Sequence, residues 1–181
     1  IATIIPDAPH KLDDDKLAWL YLREDDKLNS EDFYKEEVIY LGSNQSIETL
    51  MNIAKEYNIK SIFAFSQGSL LATFLSILIE NDVTYKNIFP SIKCMILVSP
   101  FIEPKPLNSD IVNHLGTGCI TIPTLIVYGL EDQYIPASKS EKAADLFLNK
   151  EIYAHEGKHF IPTKKNDLEI YFNFLNKYLT N

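Results

Sequence analysis

A serine between two small residues is the first feature of this sequence that points to chemistry. Ser66 stands in the run AFSQG, after the apolar run SIFAF and before a long apolar segment. A buried strand that turns sharply into a helix crowds the positions flanking such a serine, which favours glycine or alanine there. The pattern predicts Ser66 as a nucleophile, with the backbone N–H of Gln67 facing a developing oxyanion. The alternative is an ordinary helix N-cap serine.

Two further polar residues follow later apolar runs, in the order that a catalytic triad requires. Asp132 lies in the turn after TLIVYG, and His159 lies 27 residues further on, in the loop after KEIYA. That gap has the length of one crossover unit in a parallel sheet. His159 Nε2 would take the Ser66 proton, while Asp132 would hold Nδ1–H and stabilise the imidazolium. The alternatives are a solvated turn aspartate at Asp132 and the neighbouring Glu131 as the acid.

The stretch from His155 to His159 also reads His-Glu-x-x-His, the pattern of a zinc-protease helix. Both histidines of such a site must share one face of a regular helix. Gly157 lies between them, a strand-like run precedes them and Pro162 follows closely, so the segment is too short for that helix. The other two histidines have no supporting pattern as a third ligand. The segment therefore does not predict a zinc site. His159 is favoured over His155 as the base, because His155 follows the apolar strand directly whereas His159 lies in the loop that contains Gly157.

The composition is typical of one soluble globular domain, which we assign to residues 1–181. Of these residues, 46% are hydrophobic and 23% are charged. The net charge of −8 argues against nucleic-acid binding, and no apolar run is long enough for a membrane span. Cys94 and Cys119 are too few for a disulfide framework and are predicted to be free thiols. With no secretory signal at its start, the chain is predicted to be cytoplasmic. Its oligomeric state leaves no signature.

The elements that must position these residues alternate along the chain. Helix caps are predicted at Ser46, at Ser138 with Glu141, and at Asn166 with Glu169. Apolar runs predict strands at 1–5, 61–65, 94–99, 124–129 and 150–155, and periodic segments predict helices at 46–58, 67–80, 138–148 and from 166 onward. Such alternation predicts an α/β fold, with a mostly parallel sheet covered by helices on both faces. Reactive groups are then expected at the carboxyl ends of the strands.

Taken together, these motifs resemble the FSH-type serine hydrolases, a family of small α/β-hydrolases without a separate cap domain. The resemblance rests on the runs PDAPH (6–10), YLGSNQSIETL (40–50), FAFSQGSL (63–70), TLIVYGLEDQYIP (124–136) and HEGKHFIP (155–162). It implies a triad of Ser66, His159 and Asp132. It also implies hydrolysis of small-molecule carboxylic esters or thioesters through an acyl-serine, with no cofactor. Loop 6–10 is expected to border the site, and loop 100–118 and the acidic segment 11–37 are expected to shape the acyl pocket.

The sequence departs from the family pattern at three places. Ala64 replaces the usual glycine before the serine, and Lys158 stands where a second glycine is common. The family also opens with a strand ending in His-Gly and a helix, which supply the second oxyanion N–H. Their absence leads us to expect an N-terminally incomplete chain. Two alternatives stay open: an acyl-protein thioesterase or lysophospholipase-like enzyme of the same fold, and a catalytically impaired α/β-hydrolase that acts as a binding protein.

Overall fold

The computed structural model describes residues 2–13, 15–21, 42–102 and 118–180. Helices and strands alternate through most of these ranges. In chain order they are β1 (His10–Asp13), β2 (Lys16–Ala18), α1 (Ser43–Glu56), β3 (Ser61–Phe65), α2 (Gln67–Asn81), α3 (Val83–Ile88), β4 (Cys94–Val98), β5 (Thr124–Gly129), α4 (Ala137–Ala144), β6 (Lys150–His155) and α5 (Lys165–Leu179). Strands β1 and β2 form a separate antiparallel hairpin. No described helix is both long and apolar enough to cross a membrane.

Four strands form one parallel sheet in the order β3-β4-β5-β6. Side chains alternate between the two faces of each strand. On β4, Met95 and Leu97 lie in one apolar cluster with α2 and α4, whereas Ile96 and Val98 lie in a second cluster with α5. Both faces are therefore covered, so β4 and β5 are buried along their whole length. The prediction of a parallel sheet with helices on both faces is confirmed.

Helix α2, which follows the AFSQG turn, is buried on every side. Its residues 69–79 are all buried. Its buried hydroxyls all have partners: those of Thr73 and Ser76 donate to the carbonyls of Ser69 and Ala72 at 2.8 and 2.7 Å, and that of Ser69 donates to the carbonyl of Val98 at 2.9 Å. A helix fixed in this way gives the residues at its N-terminus a rigid base.

The N-terminal part of the chain differs from the sequence-based prediction. Residues 2–5 form no strand, and Ile5 is 88% exposed, so the predicted strand at 1–5 is wrong for the described residues. The first strands belong instead to the hairpin formed by β1 and β2, a part of the chain in which no strand was predicted. Helix α1 begins at Ser43, after Gly42 in a left-handed conformation, rather than at Ser46. Ser46 is buried inside the helix, where its hydroxyl donates to the carbonyl of Trp19.

The predicted caps of the last two long helices are also wrong. Helix α4 begins directly after Pro136, and Glu141 accepts a hydrogen bond from the Tyr128 hydroxyl at 3.0 Å instead of capping. Helix α5 begins one residue before Asn166, and the Asp167 carboxylate accepts the Lys164 N–H at 2.7 Å. In both cases a tertiary contact or a neighbouring carboxylate replaces the local cap. The short helix α3 has no counterpart among the predicted elements.

Both cysteines are free, as predicted. Cys94 is fully buried at the start of β4, and burial raises the pKa of its thiol to about 11. At neutral pH this thiol is protonated and acts as a small apolar side chain in the core.

Replacing Phe74 with alanine should lower the free energy of unfolding by about 3–5 kcal/mol, because its side chain is fully buried in α2 and a cavity would remain. The matched control is Phe172→Ala on α5, where the ring is 63% exposed and the change should stay within about 0.5 kcal/mol. Urea denaturation of the full-length protein measures both. Equal losses in the two variants would contradict the position of α2 in the core.

Candidate active site

The turn between β3 and α2 holds Ser66 in an unusual backbone conformation. Its φ of 52° and ψ of −118° lie in a region that side-chain-bearing residues rarely adopt. The N–H of Ser66 donates to the carbonyl of Val98 at 2.9 Å, and its own carbonyl accepts from the N–H groups of Ser69 and Leu70. The hydroxyl makes no capping hydrogen bond to the helix. The N-cap alternative is therefore not what this turn adopts, and the hydroxyl is directed elsewhere.

That hydroxyl lies at one end of a hydrogen-bonded chain of three side chains. The Oγ of Ser66 is 3.0 Å from Nε2 of His159, and Nδ1 of His159 is 2.7 Å from Oδ2 of Asp132. An ionised carboxylate can only accept, so Nδ1 carries the proton and Nε2 is free to accept from the serine. The His159 ring packs against Phe65 and Tyr134, with ring centroids 4.7 and 5.4 Å apart. The structure thus brings together the three residues predicted from strand ends.

The Asp132 side chain is completely buried and has four donors around its two oxygens. Oδ1 accepts the N–H groups of Tyr134 and Ile135 at 2.9 and 2.8 Å. Oδ2 accepts from His159 and from the hydroxyl of Ser99, the latter at 3.1 Å. Four donors fill the acceptor capacity of a carboxylate, so every lone-pair site of Asp132 has a partner.

The competing carboxylate, Glu131, is on the outside of the same turn. Its side chain is exposed, whereas the adjacent Asp132 is buried. Its backbone N–H donates to the carbonyl of Gly157 at 2.9 Å, so the turn runs along the histidine loop while the Glu131 side chain faces solvent. Of the two acids in this turn, only Asp132 hydrogen-bonds to His159 among the described contacts.

Two glycines allow the acid turn and the histidine loop to lie against each other. The Leu130 N–H donates to the carbonyl of His155 at 2.8 Å, next to the bond between Glu131 and Gly157. A Cβ at Gly129 would lie 2.3 Å from the Gly157 carbonyl oxygen, and a Cβ at Gly157 would lie 2.5 Å from the ring of Phe160. At Gly129 the obstacle is the backbone of the histidine loop, so a side chain there is excluded, whereas at Gly157 the ring of Phe160 would have to move. The contact at Gly129 fixes the separation between the two loops that carry the acid and the imidazole.

The His-Glu-x-x-His segment does not form the helix that a zinc-protease site needs. His155 is the last residue of β6, and residues 156–160 are bends. His155 is buried between the rings of Tyr153 and Phe160, with centroid distances of 6.2 and 5.1 Å. Within the described ranges, no group of three or more His, Cys, Asp or Glu side chains is placed to hold a metal ion. The two histidines thus lie in different environments, His155 among aromatic rings and His159 between a hydroxyl and a carboxylate.

Burial lowers the pKa of His155 below its usual value, and the carboxylates of Asp167 and Asp132 oppose this only partly. The neutral form is therefore the favoured form of this side chain in the folded protein.

Gln67, the predicted oxyanion donor, has a second role that the sequence did not reveal. It is the first residue of α2, where backbone N–H groups have no partner within the helix. Its side chain accepts the N–H of Trp19 at 2.7 Å and donates to the carbonyl of Leu20 at 2.9 Å. The segment after the hairpin is thereby attached to the turn that carries the serine. A lone glutamine gives no sequence signal for such a contact.

The small residues around the serine are less crowded than expected. A Cβ at Gly68 would lie 3.8 Å from Nε1 of Trp19 and 3.9 Å from the Cβ of Ala64, which are ordinary contact distances. Alanine is therefore accommodated at position 64 in place of the family's glycine.

The loops expected to border the site are only partly described. In loop 6–10, His10 is buried, donates through Nε2 to the carbonyl of Gly42 at 2.8 Å and packs on Tyr21, so it fixes the start of α1. Most of loop 100–118 lies outside the described residues, as do 14 and 22–37 of the acidic segment 11–37. Their contribution to an acyl pocket stays a prediction.

Comparison with known proteins finds one family along most of the chain. A model of the family described as Serine hydrolase (FSH1) matches residues 2–171. The chain is 29% identical over 174 residues to the esterase OVCA2 of Xenopus tropicalis and 30% identical over 142 residues to that of Danio rerio. These matches cover 95% and 76% of this chain, and 71% and 59% of the relatives, so the chain spans well under the full length of either.

Among solved structures, the chain is similar to acyl-protein thioesterase 2 of Zea mays, with a TM-score of 0.56 and 17% identity. The match covers 88% of this chain and 71% of that one. The two chains share the α/β-hydrolase fold, and the predicted fold class is confirmed.

Substituting alanine for Gly129 should destabilise the protein by about 1–3 kcal/mol, because the new methyl group must displace the backbone of the histidine loop. Gly68→Ala is the matched control, since a methyl group there meets only ordinary contacts and a helical alanine is favourable. Urea denaturation of the full-length proteins compares them. A Gly129→Ala protein as stable as the Gly68→Ala protein would contradict the close approach of the two loops.

The stability of the protein should fall as the pH drops below about 6.5. The pKa of His155 is lowered in the folded state, so the unfolded chain binds the proton more readily and is favoured as the pH falls. One such group contributes at most about 1.4 kcal/mol per pH unit. The free energy of unfolding, measured at about pH 7.5 and about pH 5.5, should fall less in His155→Leu. An identical fall in the variant and the unchanged protein would contradict this origin.

Proposed function

This chain belongs to the Serine hydrolase (FSH1) family, and we propose that it hydrolyses carboxylic esters or thioesters of small molecules through an acyl intermediate on Ser66. One observation carries the proposal. The side chains of Ser66, His159 and Asp132 form a continuous hydrogen-bonded chain, with links of 3.0 and 2.7 Å, at the carboxyl edge of the parallel sheet. Hydroxyl, imidazole and buried carboxylate in that order are the groups that acyl transfer requires.

In the proposed reaction, His159 Nε2 removes the proton of the Ser66 hydroxyl as Oγ attacks the substrate carbonyl. The buried carboxylate of Asp132 stabilises the imidazolium that forms. The imidazolium then gives its proton to the departing alcohol or thiol, which leaves an acyl-serine. In the second half, His159 removes a proton from water as the water oxygen attacks the acyl carbon. The imidazolium then returns that proton to the Oγ of Ser66 as the bond from Oγ to the acyl carbon breaks, which releases the acid and the free serine.

The negative charge that develops on the carbonyl oxygen needs hydrogen-bond donors in place before the reaction. We propose the backbone N–H of Gln67 as one donor, because it lies at the N-terminus of α2, where the helix dipole also favours negative charge. The side chain of Gln67 is occupied with Trp19 and Leu20. Its backbone N–H is therefore the group available for this task.

Two features favour an enzyme over a binding protein of the same fold. Ser66 is held at a positive φ that stores strain, and such strain is commonly found where a side chain must be presented for reaction. The Asp132 carboxylate is fully buried with four donors, one of which is the imidazole of His159, and burying such a group costs free energy that its partners must offset. We further propose that residues 1–181 act as one domain and that the enzyme is cytoplasmic.

A fluorophosphonate probe tests the proposal directly. The full-length protein should be labelled, and Ser66→Ala should abolish labelling because the nucleophile is lost. Asp132→Asn should lower kcat for a p-nitrophenyl ester by roughly ten-thousandfold, since the imidazole loses the correct tautomer. Ser138→Ala, at an exposed serine on α4, is the control and should label normally.

Either of two results would overturn the proposal: a folded full-length protein that is not labelled, or labelling that persists in Ser66→Ala. Comparing short soluble esters with lipid-bearing thioesters then separates a small-molecule esterase from an acyl-protein thioesterase-like enzyme.

A further inference from the structure

We propose that Ser99 is a positioning residue for this site, whose hydroxyl holds the Asp132 carboxylate in line with His159. The inference rests on the proposed function, because it concerns the alignment of the proposed triad. Ser99 follows β4 directly, is completely buried and donates its hydroxyl to Oδ2 of Asp132 at 3.1 Å. It is the donor to Asp132 that comes from neither the acid turn nor the histidine loop.

The strained backbone of Ser99 indicates that its side chain has a role, since glycine would suit this backbone conformation better. Its φ is 48°, and among the described residues only Ser66 shares a positive φ without being glycine. Glycine would adopt this conformation without strain, whereas a residue with a Cβ is disfavoured. The N–H of Ser99 donates to the carbonyl of Val127 at 2.7 Å, and the next carbonyl, that of Pro100, accepts the buried Ser140 hydroxyl at 2.8 Å. Neighbours on both sides therefore keep Ser99 in the strained conformation.

The end of β4 lies between the strand that leads to the serine and the strand that leads to the acid. Val98 accepts the N–H of Ser66 at 2.9 Å, and Ser99, the next residue, donates to Asp132. Two consecutive residues thus contact both ends of the proposed triad. A displacement at this point would move the serine and the acid relative to each other.

The hydroxyl of Ser99 also fixes the one rotation that the acid turn leaves open. The N–H groups of Tyr134 and Ile135 both bind Oδ1, so they hold one oxygen and allow the carboxylate to turn about it. Ser99 and His159 bind Oδ2 from outside that turn. Without the Ser99 hydroxyl, His159 alone would hold Oδ2, so we expect a longer and more variable contact between Oδ2 and Nδ1.

The test uses two variants of the full-length protein that remove the hydroxyl with opposite effects on the backbone. Ser99→Ala keeps the Cβ and the strain, whereas Ser99→Gly relieves the positive φ. Both should lower kcat for p-nitrophenyl acetate by about tenfold or more, with little change in KM. Ser99→Gly should be the more stable of the two. Ser76→Ala, at a buried serine within α2, is the control and should lose stability without losing kcat.

Two further readouts separate alignment from a general structural effect. The acid limb of kcat/KM against pH should move to lower pH in both Ser99 variants, because a less aligned carboxylate stabilises the His159 imidazolium less. The downfield NMR resonance of the His159 Nδ1 proton should shift and exchange faster with water.

An unchanged kcat in both Ser99 variants would overturn the proposal, and so would full activity in Ser99→Gly with loss only in Ser99→Ala. Neither result affects labelling of Ser66 in the unchanged protein. Absence of that labelling would instead overturn the proposed function, so the two failures are distinguishable.

Discussion

The site depends on one backbone group, the carbonyl of Val98 at the end of β4. It accepts the N–H of Ser66 and the hydroxyl of Ser69, each at 2.9 Å, and so fixes the turn between β3 and α2. The parallel register sets Phe65 opposite Val98 and Val98 opposite Val127. Strands β3 and β4 therefore end at the same level, β5 continues two residues further to Gly129, and the residues that follow the three strands meet at one edge of the sheet. The residues that follow neighbouring strands can therefore contact one another through short side chains.

The strain at this edge is small beside the burial that opposes it. A residue with a Cβ that is held in a sparsely populated backbone region costs about 1–3 kcal/mol, and Ser66 and Ser99 both have a positive φ. Fully burying one large apolar side chain contributes about 1.5–3 kcal/mol, and α2 alone buries several, Leu70, Phe74 and Leu75 among them. Because β4 and α2 are packed on all sides, the turns at their ends cannot relax without disturbing the core.

The strands that consist of one unbroken apolar run could be predicted from the sequence. The predictions failed where contacts with residues distant in the chain determine the local structure. Strands β3, β5 and β6 have the predicted limits, because unbroken apolar runs between turn residues have few other solutions. Residues 1–5 have the same character, yet residues 2–5 lie outside any strand and Ile5 is exposed. Ser138 with Glu141 matched a capping box, but the Tyr128 hydroxyl binds Glu141 and the helix begins after Pro136. A local pattern cannot reveal a competing partner from another strand.

The same distinction applies to the site. Ser66, Asp132 and His159 could be predicted as neighbours, because each follows its own apolar strand and the 27 residues from Asp132 to His159 match one crossover unit. Ser99 also follows a strand, but the sequence shows only that it precedes Pro100. Neither its positive φ nor its hydrogen bond to Asp132 can be predicted from the sequence. The hydrogen bonds of the Gln67 side chain to Leu20 and Trp19 could not be predicted for a similar reason, since these partners lie 47 and 48 residues away in the sequence.

The two histidines of the segment 155–159 show that a residue's environment, rather than a sequence motif, decides its chemistry. His159 lies between a hydroxyl and a carboxylate, so each ring nitrogen has a partner suited to proton transfer. His155 lies between aromatic rings, and within the described residues its Nε2 has no hydrogen-bond partner. Burial lowers the pKa of His155, which favours a neutral side chain that packs. Its carbonyl holds Leu130 in the acid turn, so His155 supports the site through its backbone while His159 serves it through its ring.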